Sequence, residues 1–301
     1  MKVLLTGGTG FIGKNLTINL KSKKISVDNI GRELLKNDRK LNEFITSKQF
    51  KMKQNYDVLI HLAADLDESS KKLISVNVNL TKRLLKICLK NKINRFIFAS
   101  SHLVYGKTEY LPIDENHPTR PKTNYGKSKL IAEEICRKFS NENHLEVSIL
   151  RISSVFGIGQ NERYVIPRML NDAITKNIVL HKFTNGFQLM DLVHVDDVSR
   201  AILGACRSKK TGIYNLSSGV GITPFELGTT ISKFSADCKI SIKDKKQETN
   251  HFLYDVSKIQ HELGVKAKIS PDQKILKSWY QKLVKSKKFS DSRNLNNKRN
   301  Y

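Results

Sequence analysis

The chain has 301 residues, long enough to bury a large core, and this length favours one large lobe with a smaller second lobe over an isolated binding module. It carries 53 Lys and Arg against 28 Asp and Glu, a formal charge of +25. Because the basic residues are spread along the whole chain and no RNA-binding aromatic signature interleaves them, nucleic acid is not expected as a partner. No apolar run approaches the roughly 20 residues that span a bilayer, so a membrane span is excluded.

The N-terminus and the cysteines both bear on the compartment. The first residues, MKVLLTGG, run directly into a strand and a glycine turn, which leaves no room for a secretion signal. We therefore expect a cytoplasmic protein. The four cysteines, Cys88, Cys136, Cys206 and Cys238, are widely scattered without a CxxC pair, so we expect reduced thiols and no metal site.

The predicted elements of the first half alternate between strands and helices. Compact apolar runs predict strands at Lys2–Thr6, Ile25–Ile30, Asp57–Ala63, Arg95–Ser100 and Val147–Ile152. Apolar residues at helical spacing predict helices at Phe11–Leu20, Ser75–Asn91 and Lys127–Phe139. This order predicts an α/β fold, a Rossmann-type doubly wound parallel sheet with helices on both faces.

The second half is less regular. After Gly157 the sequence predicts a helix at Val165–Thr175, strands at Asp191–Val195 and Gly212–Leu216, and helices that begin at Pro224 and Ser257. We expect a smaller C-terminal substrate lobe at 156–285, with a segment near 191–216 that returns to the first domain. The tail at 286–301 is basic, rich in Ser and Asn and without periodicity, so it is expected to be disordered.

A glycine-rich turn joins the first strand to the first helix. In TGGTGFIG, Gly7 permits a tight turn, Gly10 lets the backbone approach a pyrophosphate, and Gly13 lets the helix pack on the strand. The helix begins at Phe11, and its first residues, Phe11 and Ile12, supply N–H groups to the anion. Because the turn lies between a strand and a helix, it predicts a dinucleotide-binding domain at 1–155.

The end of the second strand bears on the choice of cofactor. It reads Asn29-Ile30-Gly31-Arg32, without the carboxylate that usually binds the ribose hydroxyls. Arg32 pairs with a 2′-phosphate, stacks on adenine, or is a solvated surface residue. Asp38 is a candidate for the adenine edge or a turn residue. The predicted cofactor is NADP or NAD, with NADP favoured.

Three side chains form the candidate catalytic set. Ser101 follows an apolar strand, where ligands bind in open α/β sheets. Tyr125 and Lys129 are four residues apart, so they share one face of a helix. An ammonium beside a phenol favours the phenolate and lowers its pKa, which predicts a general base.

These motifs together resemble the extended short-chain dehydrogenase/reductase family, also called NAD-dependent epimerase/dehydratases. The likeness runs from Met1 to about Lys285 and includes TGGTGFIG, DVLIHLAA, SSHLVYG, YGKSK, HVDDV, YNL and DVSK. The resemblance implies that Tyr125 is the acid/base, that Lys129 holds the nicotinamide ribose and that Ser101 orients the substrate. It also implies that Leu62, Ala63 and Ala64 pass close to the cofactor.

The chain departs from the family where sugar-nucleotide 4,6-dehydratases carry Asp and Glu after the catalytic Ser or Thr. Here those positions are His102 and Leu103. Without the glutamate there is no base for elimination, so dehydration is not expected. His102 either contacts the substrate or packs in the core.

Further departures concern the diphosphate of a sugar nucleotide. Met190 stands where many members carry the Arg that binds it, and Ser154 replaces the usual Asn. Lys245 and Lys246 lie near the family's second phosphate-binding Arg. The predicted substrate-binding residues are thus His102, Ser154, Lys245 and Lys246.

The resemblance leads to an expected function. We expect an NAD(P)-dependent epimerase or 4-ketoreductase acting on a nucleotide-linked sugar, and the sequence does not separate the two. The alternatives are an NAD(P)-binding regulatory or assembly protein on the same fold and a polyanion-binding protein with a vestigial site. A homodimer is one of the assemblies that the sequence leaves open.

Overall fold

The computed structural model describes residues 1–36, 39–41, 43, 47 and 55–297. In chain order the strands are β1 (Lys2–Thr6), β2 (Ser26–Ile30), β3 (Val58–His61), β4 (Arg95–Ser101), β5 (Glu146–Ile152), β6 (Ser154–Phe156), β7 (Asn177–Phe183), β8 (Met190–His194), β9 (Gly212–Leu216), β10 (Gly221–Ile222) and β11 (Lys239–Lys245). The helices are α1 (Phe11–Ser22), α2 (Arg32–Lys36), α3 (Leu73–Lys90), α4 (Asn124–Asn143), α5 (Val165–Ile174), α6 (Val195–Arg207), α7 (Pro224–Ser232), α8 (Ser257–Leu263) and α9 (Gln273–Asn297).

The central sheet has the strand order β2-β1-β3-β4-β5-β9, with parallel pairing between all neighbours. Its inner strands are buried almost throughout because helices cover both faces. On one face Leu16 of α1 packs with Ile202 of α6, and on the other Leu84 of α3 packs with Cys136 of α4. The predicted doubly wound α/β fold is confirmed.

The C-terminal half adds two small sheets beside the central one. β8 pairs with β6 in parallel and with β10 antiparallel, while β7 and β11 form a parallel pair. Leu170 of α5, Leu180 of β7 and Trp279 of α9 share one apolar core. The helix α9 extends through 286–297, a segment for which the composition predicts disorder. The division of the chain into domains at residue 155 stays a prediction.

The topology brings one set of chain segments to a single edge. β1, β3, β4 and β5 run parallel, so their carboxyl ends meet at the same edge of the sheet. Ser101 ends β4, and the glycine turn and the loop after β3 follow the ends of β1 and β3. No helix within the described ranges combines the length and apolar content needed to cross a membrane.

Candidate active site

A cleft of about 1480 Å³ opens at the carboxyl edge of the central sheet. Its walls include 7–13, 29–32, 62–69, 99–103, 152–155 and the side chains of Tyr125 and Lys129. The structure therefore brings the predicted cofactor residues of the glycine turn and of 62–64 into one cleft with the predicted catalytic set.

The glycine turn has the geometry of a cradle for a pyrophosphate. Gly7 adopts a φ of +76°, and a Cβ atom there would lie 2.7 Å from the backbone nitrogen of Ala63. A Cβ atom at Gly13 would lie 2.1 Å from the carbonyl oxygen of Gly7. Gly10 is the N-cap of α1 and has no side chain to occupy the helix N-terminus, which lines the cleft. These residues fit a dinucleotide. The N–H groups of Phe11 and Ile12 would hold its pyrophosphate.

The end of β2 forms the adjoining part of the wall. Arg32 begins α2, is exposed and lines the cleft. Asn29 packs so closely on the turn that a Cβ atom at Gly8 would lie 1.9 Å from its Oδ1 atom. Asp38 lies outside the described residues.

Ser101 is fixed at the end of β4 by the turn that follows. It is buried, and its Oγ atom accepts a hydrogen bond of 3.2 Å from the backbone N–H of Leu103, which caps the 3₁₀ turn His102–Val104. The neighbouring Ser100 points into the core, where its hydroxyl donates to the carboxylate of Glu133.

α4 presents Tyr125 and Lys129 on one face. Thr123 caps the helix by accepting a hydrogen bond of 3.0 Å from the N–H of Gly126, so Tyr125 lies in the first turn and Lys129 one turn later. The Lys129 Nζ atom donates to the carbonyl oxygen of Ala99 at 2.7 Å and lies 5.5 Å from the centroid of the Tyr125 ring. The two side chains are thus held against the end of β4.

The structure reverses the expected direction of the Tyr125 pKa. Burial raises the pKa of the phenol, with a further contribution from Tyr164. The Lys129 ammonium donates to the carbonyl oxygen of Ala99, and burial lowers the pKa of Lys129 itself to about 8. Desolvation therefore outweighs the attraction between phenolate and ammonium.

A buried ion pair joins α4 to β5 beneath the site. The Arg151 Nη2 atom lies 2.8 Å from Glu133 Oε2, and both side chains are at least 95% buried. Because Glu133 is one turn from Lys129 and also binds Ser100, the pair fixes α4 relative to the end of β4.

The predicted substrate-binding residues divide into two groups. His102 and Ser154 line the cleft, whereas Lys245 ends β11, Lys246 follows it, and neither lysine is among the residues that line the cleft. β11 pairs with β7 in the C-terminal lobe, which takes these lysines to a separate sheet. For Lys245 and Lys246 the predicted substrate contact has no support in this arrangement.

His102 both packs and lines the cleft. Its Nδ1 atom lies 2.9 Å from the Tyr254 hydroxyl, and its ring meets the Phe252 ring edge-on with centroids 5.4 Å apart. Burial lowers the pKa of His102 to about 4, so the ring is neutral near pH 7.

The sequence reasoning missed two further parts of the cleft. The Glu68 carboxylate accepts hydrogen bonds from the N–H groups of Asn124 and Tyr125, at 3.0 and 2.9 Å. Arg163 and Tyr164 line the cleft from the loop between β6 and α5. For Glu68 the available signal was position, since its loop follows β3, whose carboxyl end lies at this edge, whereas β6 belongs to a separate sheet.

Comparison with known proteins places the chain in a family. Residues 3–217 match the NAD dependent epimerase/dehydratase family. The chain belongs to this family. A provisionally named UDP-glucose 4-epimerase of Methanocaldococcus jannaschii is 33% identical, over 89% of this chain and 93% of the relative. The predicted family and the predicted class of enzyme, an NAD-dependent epimerase or oxidoreductase, are confirmed.

Solved structures agree with this fold. The UDP-glucose 4-epimerase of Thermotoga maritima, crystallised with UDP-glucose, superposes with a TM-score of 0.82 at 22% identity, over 95% of this chain and 99% of that chain. The UDP-glucose 4-epimerase of Thermus thermophilus, solved with NAD, gives a TM-score of 0.79 at 21% identity, over 93% and 98%. At this identity the likeness shows the fold.

Proposed function

We propose that this protein is an NAD-dependent 4-epimerase of UDP-linked hexoses. The observation that carries the proposal is the convergence of Ser101, Tyr125 and Lys129 in the cleft that also holds the glycine turn. The reaction named for the Methanocaldococcus relative supports the same activity and the UDP-linked substrate. His102 and Leu103, in place of two acids, disfavour dehydration.

We assign a step of this reaction to each side chain. NAD, when bound, supplies a nicotinamide ring that accepts a hydride from C4 of the sugar and returns it. Tyr125, as the phenolate, would take the proton of the C4 hydroxyl as the 4-keto sugar forms, and the resulting phenol would give it back as the hydride returns to the opposite face. Ser101 would hold the same oxygen, while the Lys129 ammonium, 5.5 Å from the Tyr125 ring centroid, would favour the phenolate form that the first step requires. Atoms and electrons balance without an external reductant.

The proposal is tested by incubating the protein with NAD and either UDP-glucose or UDP-N-acetylglucosamine and reading the products by NMR. The expected result is an equilibrium mixture of the C4 epimers of at least one substrate. A 4-keto-6-deoxy product, or no product from either sugar, would contradict the proposal.

Arg32 favours a second candidate, an NADPH-dependent 4-ketoreductase. It lies at the end of β2, where no carboxylate opposes a 2′-phosphate, and an Arg–phosphate contact is worth roughly 1.5–3 kcal/mol. Fluorescence titration would then show NADPH binding several-fold more tightly than NADH, and Arg32→Ala should remove the difference. Equal affinities in the wild type would exclude the 2′-phosphate role.

The cytoplasmic location and the homodimer remain predictions. Size-exclusion chromatography with light scattering tests the assembly, since a dimer has twice the mass of the 34.3 kDa chain. A mass of one chain across the accessible concentration range would exclude the homodimer.

A further inference from the structure

Two segments of the cleft wall meet where β1 and β3 end. Thr6 is the last residue of β1, His61 is the last residue of β3, and the two are paired in the parallel ladder. The glycine turn follows Thr6, and the loop 62–65, which we call the cofactor loop, follows His61. The two segments touch, since a Cβ atom at Gly7 would lie 2.7 Å from the backbone nitrogen of Ala63. A shift of either segment at this contact would therefore change the part of the cleft wall that both of them line.

A buried histidine connects these segments to α3. His61 is 1% exposed, and both nitrogens of its ring have a hydrogen-bond partner. Its Nδ1 atom lies 2.8 Å from the Thr6 Oγ1 atom, and its Nε2 atom lies 3.2 Å from the Thr81 Oγ1 atom of α3. The Thr6 Oγ1 atom also accepts a hydrogen bond of 3.3 Å from the N–H of Ala63. A continuous series of hydrogen bonds thus runs from α3 through His61 and Thr6 to the cofactor loop.

The hydrogen-bond partners determine which ring nitrogen of His61 carries the proton. The Thr81 hydroxyl donates its single hydrogen to the carbonyl oxygen of Asn77 at 3.0 Å, so it can only accept from the ring. Nε2 is therefore the protonated nitrogen, and Nδ1 accepts from the Thr6 hydroxyl. The lone pairs of the Thr6 oxygen are then available to the N–H of Ala63. Burial lowers the pKa of His61 well below its usual value, so the ring stays neutral near pH 7.

The far end of the cofactor loop is held by α3 as well. Asn77 is 5% exposed, and its Oδ1 atom accepts a hydrogen bond of 2.7 Å from the N–H of Asp65. Its Nδ2 atom donates to the carbonyl oxygen of Asp65 at 3.1 Å. The backbone carbonyl of Asn77 is the group that accepts from Thr81. Thr81 and His61 therefore join the attachment at Asp65 to the one at Ala63.

We propose that His61 is a positioning residue for the dinucleotide: it orients the Thr6 hydroxyl, which in turn sets the cofactor loop against the glycine turn. The inference rests on the NAD cofactor of the proposed function. Without the Thr6 hydroxyl, the N–H of Ala63 would be a donor without a partner, and such a group costs free energy until the backbone moves to find another. The loop would then have to return before NAD could bind, which lowers the apparent affinity.

The test measures NAD affinity by calorimetry and, in the cofactor-free protein, the hydrogen exchange of the Ala63 amide by NMR. Thr6→Val keeps the shape of the side chain and removes the hydroxyl, whereas Thr6→Ser keeps the hydroxyl. Thr81→Val removes the acceptor of the His61 Nε2–H group. Thr230→Val is the matched control, because the Thr230 hydroxyl also donates to the carbonyl oxygen four residues earlier, on α7, and Thr230 does not line the cleft.

The hydroxyl at Thr6 and the one at Thr81 should each matter for cofactor binding. Thr6→Val and Thr81→Val should each weaken NAD binding about 5- to 50-fold and speed the exchange of the Ala63 amide. Thr6→Ser and Thr230→Val should stay close to the wild type in both measurements. A purely structural role of His61 would change urea unfolding but leave the NAD affinity of the folded protein unchanged.

The proposal is overturned if Thr6→Val binds NAD as tightly as the wild type, or if Thr230→Val weakens binding as much as Thr81→Val. Should the two valine variants at Thr6 and Thr81 fail to fold, NMR of the wild-type His61 ring near pH 7 decides: protonation at Nε2 supports the proposal, and protonation at Nδ1 overturns it. If the affinities change as expected but neither UDP-sugar is epimerised, the role of His61 stands and the proposed reaction fails.

Discussion

Replacement of His102 should change how the stability of the protein depends on pH. Burial lowers the pKa of His102 from 6.5 to about 4, so the folded protein binds fewer protons than the unfolded chain between these values. Stability from this group is fully present above pH 6.5 and is lost as the pH falls toward 4. From the two pKa values, the titration of His102 should lower the free energy of unfolding by about 2 kcal/mol as the pH falls from 7.5 to 5.0.

The assay is urea unfolding followed by circular dichroism at both pH values. His102→Asn keeps an acceptor for the Tyr254 hydroxyl but does not titrate, so the variant should lose about 2 kcal/mol less than wild type over this range. His144→Asn is the control: His144 is exposed after α4 at a φ of +54°, which Asn tolerates, and this variant should follow the wild type. If His102→Asn loses as much stability as wild type, the lowered pKa assigned to the His102 imidazole is wrong.

Three further substitutions test the site. Gly13→Ala should abolish measurable NAD binding by calorimetry, because its Cβ atom would lie 2.1 Å from the Gly7 oxygen, whereas Gly31→Ala has nothing within 4 Å and should bind NAD. Lys129→Met should lower both NAD affinity and kcat, since one ammonium is assigned to ribose and phenol; unchanged NAD affinity would count against that role. Glu68→Ala should lower kcat by up to roughly tenfold, because two N–H groups at the start of α4 lose their acceptor. Glu68→Gln keeps an acceptor oxygen and should restore part of kcat.

The sequence predicted the central sheet well because its signals are local and strong. Lys2–Thr6 and Gly212–Leu216 have the predicted bounds, and the helix that begins at Phe11 follows directly from its glycine turn. β7 and β11 were not predicted. β11 is largely exposed and charged, so its strand conformation depends on pairing with β7 rather than on its own hydrophobic pattern.

The site was predictable in part for a similar reason. Ser101, Tyr125 and Lys129 belong to short motifs at the ends of elements, and these residues line the cleft as expected. Glu68 and Arg163 line the cleft from loops that are far apart in the sequence. Residue spacing does not predict that these loops meet in the folded chain. The direction of the Tyr125 pKa depends on desolvation, a property of the packed structure.

The central claim is tested most directly by following an isotope at the reacting carbon. The protein would be incubated with NAD and UDP-glucose or UDP-N-acetylglucosamine carrying deuterium at C4, in ordinary water, and the products read by NMR. The account predicts the C4 epimer with deuterium still at C4, since the hydride leaves and returns without exchange with solvent, and no epimer with Tyr125→Phe. An epimer that has exchanged its deuterium for solvent hydrogen, or full turnover by Tyr125→Phe, would contradict it.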